Sequence, residues 1–106
     1  MADRLSSAEF TERHDLPGWR VVDDGIETWW LAGSFTEAGT FAAEIAALAD
    51  AADHHPDLAL RYPGRVHVRL TSHDAGGLTD RDAALAGQIS EAASRRGVTV
   101  DREDET

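Results

Sequence analysis

The sequence predicts an α+β fold: a two-layer sandwich in which a four-stranded antiparallel sheet carries helices packed on one face, in the order α-ββ-α-ββ-α. Two observations predict it. Residues 19–35 and 58–70 alternate apolar and polar side chains around turn signals, whereas residues 36–53 and 79–96 repeat apolar side chains at three- and four-residue steps. Hairpins separated by helices make the strands antiparallel and leave the helices to cover one sheet face.

The first element is a short helix over Ala8-Glu9-Phe10-Thr11-Glu12-Arg13-His14, with Ser6 and Ser7 ahead of it as caps and Phe10 as its anchor. Leu16-Pro17-Gly18 then turns the chain. Residues 19–35 read as two strands joined at Asp24-Gly25, with Ile26, Thr28 and Trp30 on one face and Trp29 and Leu31 on the other. In the main helix, residues 36–53, the apolar positions Phe41, Ile45, Leu48 and Ala52 form one stripe, and Pro56 ends the helix by pushing His55 out of helical geometry.

A second hairpin follows. Leu58, Leu60 and Tyr62 alternate with Ala59 and Arg61, Pro63-Gly64 turns, and Val66, Val68 and Leu70 alternate with His67 and Arg69. Thr79 caps a last helix running to about Arg96, with Asp80 and Asp82 in its first turn, Leu85, Ile89 and Ala93 as its buried stripe and Gly97 just past its end. One domain over residues 1–100 accounts for this pattern, and residues 101–106 read as a solvated acidic tail. A strand edge carrying Trp29 or Leu31 would need covering, which leads us to expect a homo-oligomer.

Composition narrows the chemistry. The 106 residues include no lysine and no cysteine, which removes Schiff-base and thiol nucleophiles, disulfides and thiolate zinc sites. Twenty acidic residues against ten basic ones give a formal net charge of -10, which repels phosphate backbones and argues against nucleic-acid binding. No apolar run approaches the roughly 20 residues needed to cross a bilayer, so no membrane contact and a cytoplasmic location are expected. Acid/base work is left to His, Asp and Glu.

Histidine supplies the strongest signal. Asp50-Ala51-Ala52-Asp53-His54-His55-Pro56 places two imidazoles at the end of the main helix, and Thr71-Ser72-His73-Asp74 adds a third in a loop. Imidazole titrates near neutral pH, at about 6.5, so a cluster of three points to proton transfer. Asp50 and His54 are four apart and share a helix face, where the carboxylate can orient the ring. A solvated helix end is the plain alternative for that pair. Asp82 divides evenly between capping beside Thr79 and a pocket role. His67 reads as an exposed or interfacial sheet residue, His14 as a surface residue, and the three tryptophans as packing residues. A histidine metal site is disfavoured, because adjacent histidines chelate one ion poorly.

These residues resemble the signature of the pterin-4a-carbinolamine dehydratases, also described as dimerization cofactors of a homeodomain transcription factor. The resemblance runs from Leu16-Pro17-Gly18-Trp19 through Asp53-His54-His55-Pro56-Asp57 to Thr71-Ser72-His73-Asp74-Ala75-Gly76-Gly77-Leu78-Thr79-Asp80-Arg81-Asp82, and the signature falls on Asp50, His54, His55, Pro56, Tyr62, His73 and Asp82. It implies a hydro-lyase that dehydrates 4a-hydroxytetrahydrobiopterin to quinonoid dihydrobiopterin during tetrahydrobiopterin recycling, without a metal or organic cofactor. It further implies His54 and His73 as the acid/base pair, His55 in contact with pterin or shaping the pocket, Asp50, Pro56 and Asp82 binding or orienting the substrate, and a dimer or tetramer. Asp50 stands where the family often has glutamate. The alternative is a non-catalytic interaction or assembly factor on the same fold.

Overall fold

The computed structural model of the chain describes residues 4–101. Its elements are α1 (Ser7–Arg13), β1 (Arg20–Val22), β2 (Gly25–Leu31), α2 (Phe35–Ala52), β3 (Asp57–Arg61), β4 (Arg65–Leu70), a 3-10 turn (His73–Ala75), α3 (Asp80–Arg96) and β5 (Thr99–Val100). The expected α+β sandwich is present, with one addition. After Gly97, which ends α3 in a left-handed conformation, two residues form β5 and pair Trp30 with Val100 and Leu31 with Thr99. A strand this short leaves no alternation to read.

The sheet runs β1-β2-β4-β3, with β5 also on β2. β4 covers one edge of β2 from Ile26 to Leu31, so β1 and β5 share the other edge end to end. This corrects the expectation that Trp29 and Leu31 lie on an edge strand: β2 is interior, and among the described residues the sheet is edged by β3 on one side and by β1 and β5 on the other. The alternation within β2 nevertheless holds. Ile26, Thr28 and Trp30 are buried under the helices, whereas Trp29 and Leu31 face away.

The first hairpin also turns one residue earlier than expected. Val22 pairs with Gly25, so Asp23 and Asp24 form the turn, and Asp23 takes the positive φ of 55°. Gly25 serves a different purpose. A Cβ there would sit 2.7 Å from the Arg69 guanidinium carbon and 2.8 Å from the Leu70 carbonyl oxygen, so only glycine lets β2 pass this close to β4. Arg69 uses that space to donate to the Val22 carbonyl and to Asp24 Oδ1.

Ser6 and Glu9 form a reciprocal capping box at the start of α1, and the Ser34 side chain accepts from the Glu37 N–H to start α2. α2 buries Ala38, Phe41, Ile45 and Ala49 against the sheet and α3, with Leu48 half-buried; Ala52, expected on this stripe, is exposed in the last turn. α3 buries Leu85, Ile89 and Ala93 as expected, together with Ala83, Ala86 and Ala92. Small residues let the two helices lie close, and Phe41 fills the space between α2 and the sheet, edge-on to Trp30 with ring centroids 5.8 Å apart.

The face away from the helices is built on Trp29. The Arg65 guanidinium carbon lies 4.1 Å from the Trp29 ring centroid and the His67 ring is 4.8 Å away. Arg65 also donates to Asp101, whose backbone N–H bonds the Trp29 carbonyl. Asp101, the first residue of the expected tail, is thus buried and paired; residues 102–106 lie outside the described residues.

Two outcomes follow from this packing. Phe41→Ala leaves a cavity at a fully buried site and should lower the unfolding free energy by about 3–5 kcal/mol, measured by urea denaturation; a loss below about 1 kcal/mol would contradict the packing described. Burial beside Trp29 holds the His67 pKa below its ordinary 6.5, opposed by Glu27 and aided by Arg69 and Arg61. The unfolded chain therefore binds the proton first as pH falls, and the wild type should lose stability through and below pH 6.5 more steeply than His67→Gln. Equal slopes in urea midpoints across that range would remove His67 as the cause.

Candidate active site

The antiparallel register sets the location of the site. Asp57 pairs with Arg69, so the segment entering β3 (His54, His55, Pro56) and the segment leaving β4 (Thr71, Ser72, His73) lie at the same end of the sheet. The N-terminus of α3 starts seven residues after His73 and packs back on that end through Asp82. Three separate stretches of sequence therefore meet there.

α2 does not run on to the histidine pair. Asp53 adopts a left-handed conformation, φ 49° and ψ 44°, its N–H bonding the Ala49 and Asp50 carbonyls while the His54 N–H bonds the Ala49 carbonyl. That reversal removes His54 from the helical face it was expected to share with Asp50. The consequence is a change of partners: Asp50 Oδ1 accepts from His55 Nε2 at 2.9 Å in an exposed pair, and His54 turns inward. The expectation that Asp50 orients His54 is corrected accordingly.

The partner of His54 is Asp82. Nε2 lies 2.6 Å from Asp82 Oδ1, with the His54 side chain 8% exposed and the Asp82 side chain 0%. An ionised carboxylate can only accept, so Nε2 carries the proton of this hydrogen bond. The other oxygen, Oδ2, accepts from the Thr79 backbone N–H and from Ser72 Oγ, both at 2.9 Å. Asp82 is thus the acidic member of a capping box with Thr79 and the anchor of His54 at once. The two roles weighed from sequence are held by one side chain.

His73 begins the 3-10 turn and is exposed. Its loop is closed by two backbone hydrogen bonds between Ser72 and Gly77, and Gly76 supplies the positive φ of 73° that ends the turn. Asp74 receives Arg81 Nη2, and that guanidinium holds the Asp74 carboxyl below its ordinary value. Asp80 is held low in the same way, first by the hydrogen bond from His14 and then by Arg13, so α1 is fastened to the start of α3. His14 therefore has a structural partner that its surface assignment did not anticipate.

The structure brings His54 and Asp82 into contact and ties them through Ser72 to the His73 loop, with His55, Asp50 and Pro56 beside them on the chain. Tyr62 is not brought in: it lies past the far end of β3 and is 87% exposed. Ser72 and Thr79 are the participants that reasoning from sequence did not identify as part of the site. The Thr79 to Asp82 spacing does signal a capping box, but nothing in the sequence marks Ser72.

The family model for pterin 4 alpha carbinolamine dehydratase matches residues 3–92. The chain belongs to the pterin-4a-carbinolamine dehydratase family. A relative from Roseiflexus sp. (strain RS-1), provisionally named as a dehydratase of this family, is 48% identical over 92 residues, covering 86% of this chain and 98% of the relative. Another from Thermomicrobium roseum, named in the same provisional way, is 45% identical over 80 residues, covering 76% and 85%. The crystal structure of a transcriptional coactivator/pterin dehydratase from Brucella melitensis superposes with a TM-score of 0.78 at 33% identity, covering 86% of this chain and 99% of that one. A pterin dehydratase-like protein described as a RuBisCO assembly factor of the alpha-carboxysome shares the fold, with a TM-score of 0.60 at 20% identity over 76% of this chain and 95% of that one.

Within this dehydratase fold the two carboxylates beside the histidines should differ sharply on removal. Asp82→Ala strips a buried imidazole and a helix terminus of their acceptor and should cost about 3–5 kcal/mol. Asp50→Ala breaks an exposed pair and should cost about 1 kcal/mol or less. Urea denaturation of both variants checks the contrast, and similar losses would contradict the burial described.

Proposed function

We propose that this protein dehydrates 4a-hydroxytetrahydropterins to the quinonoid dihydropterin by histidine acid/base catalysis, as in tetrahydrobiopterin recycling after aromatic hydroxylation. The observation that carries the reading is the buried Asp82–His54 hydrogen bond beside the His73 loop. In the reaction the C4a–O bond breaks, the hydroxyl leaves as water with a proton delivered to it, the N5 proton is removed, and the N5 electron pair forms the bond to C4a. Two imidazoles suffice for both transfers, so no metal or organic cofactor enters the scheme.

In this scheme His54, fixed at Nε2, exchanges protons with the pterin through Nδ1. His73, solvent-facing at the start of its turn, serves the second proton, and His55 lines the site with Asp50 and Pro56. The fold by itself does not entail the activity, since a similar fold is described as an assembly factor. What favours the enzyme here is His54 held by a fully buried carboxylate, an arrangement that a docking surface does not need.

His54→Ala and His73→Ala should each lower the rate of quinonoid dihydropterin formation from freshly generated 4a-hydroxytetrahydropterin by about 10²- to 10⁴-fold, followed by absorbance. Folded wild type that gives no acceleration over buffer would sink the proposal, and a tight protein partner recovered with it would favour the assembly reading. An active wild type matched by both variants would overturn the residue roles.

A further inference from the structure

We propose that Ser72 is a positioning residue whose hydroxyl, acting through Asp82, holds His54 with its proton on Nε2 so that Nδ1 faces the substrate; this deepens the dehydratase reading of the same site and rests on it for its catalytic consequence. Ser72 is fully buried, as is Asp82, and Thr79 is nearly so. Water therefore does not compete for these groups.

Counting protons orders the network. Asp82 Oδ2 can only accept, so the single hydroxyl proton of Ser72 points at it. The Ser72 to Thr79 hydroxyl contact of 2.8 Å must then be donated by Thr79, whose own oxygen accepts from the Arg81 N–H. The result is one directed chain, from Thr79 to Ser72 to Asp82, ending on the acceptor of His54 Nε2. Each donor on Asp82 polarises the carboxylate against the next and fixes its rotation.

Without the Ser72 hydroxyl, Oδ2 would retain only the Thr79 N–H, and the carboxylate could turn to serve the helix terminus alone. His54 would then lose its orientation and its fixed tautomer. Nδ1 has no hydrogen-bond partner among the described residues, yet it does not belong to the buried unpaired polar atoms, which are Trp30 Nε1 and Arg81 Nε. It is the nitrogen of His54 left open to a ligand. Ser72 also precedes His73 directly and closes its loop by backbone bonds to Gly77, so one residue sets both imidazoles relative to each other.

The test uses the full chain with ¹⁵N-labelled histidine, long-range proton–nitrogen spectra of the imidazoles, and the dehydratase assay. In the wild type, neutral His54 is expected to carry its proton on Nε2. Ser72→Ala should mix the two tautomers, lower kcat roughly 10- to 100-fold with KM changed by less than about threefold, and shift the pH–rate profile, while Ser72→Thr, which keeps a hydroxyl, should restore the Nε2–H signal and most of kcat. A wild-type His54 protonated on Nδ1 overturns the proposal even if Ser72→Ala does not fold. So does a folded Ser72→Ala with unchanged tautomer and kcat. A wild type with no dehydratase activity defeats the reaction assignment separately, and the nitrogen spectra still decide whether Ser72 positions His54.

Discussion

The Asp82 carboxylate is the charge around which this end of the molecule is organised. A carboxylate with no exposed surface is stable only when its oxygens are satisfied, because its desolvation is not repaid by a solvent contact. Its three donors come from three places: His54 beyond the end of α2, Ser72 in the loop after β4, and the Thr79 backbone at the start of α3. Each of these segments is otherwise a connection, the kind of backbone that varies most and packs least. One buried acceptor holds all three in place, and the histidine geometry is a by-product of satisfying it.

The rest of the fold supplies rigidity on which that anchor depends. Glu44, midway along α2, pairs with Arg95 and Arg96 at the far end of α3, and the apolar stripes of the two helices meet the sheet through Phe41, Ile45, Leu85 and Ile89. α1 adds a clamp at the site itself, since Leu5 bonds the Leu78 carbonyl and His14 and Arg13 hold Asp80. The surface pairs contribute little individually. Their effect is to restrict the first turn of α3, so that Asp82 meets His54 from a fixed backbone.

Periodicity made the two long helices and both hairpins readable, because burial on one face leaves a repeat of 3.6 or 2 in the sequence. Features that reverse the chain at one residue leave no such trace. Asp53 is an ordinary aspartate in the sequence, yet its left-handed backbone ends α2 before the histidines and moves His54 from Asp50 to Asp82. β5 is too short to alternate, and Asp101 looked like part of a charged tail until Arg65 and the Trp29 carbonyl gave it partners. The residue types of the candidate site were legible, then, while their pairing was not. Pairing depends on a few backbone angles that composition does not encode.

The two carboxylates near the histidines also differ in what they tolerate. Asp50 is 78% exposed and its partner His55 59% exposed, so a side chain one methylene longer at position 50 meets solvent and can still reach the ring. Resemblance to a family that often uses glutamate there is physically undemanding. At position 82 the same extra methylene would have to fit a fully buried site while keeping three donors within hydrogen-bond distance of two oxygens, and the N3 position of the helix fixes where the side chain starts. Length is therefore constrained at the buried acid and free at the exposed one. That asymmetry separates the acid that organises the histidine site from the one that only borders it.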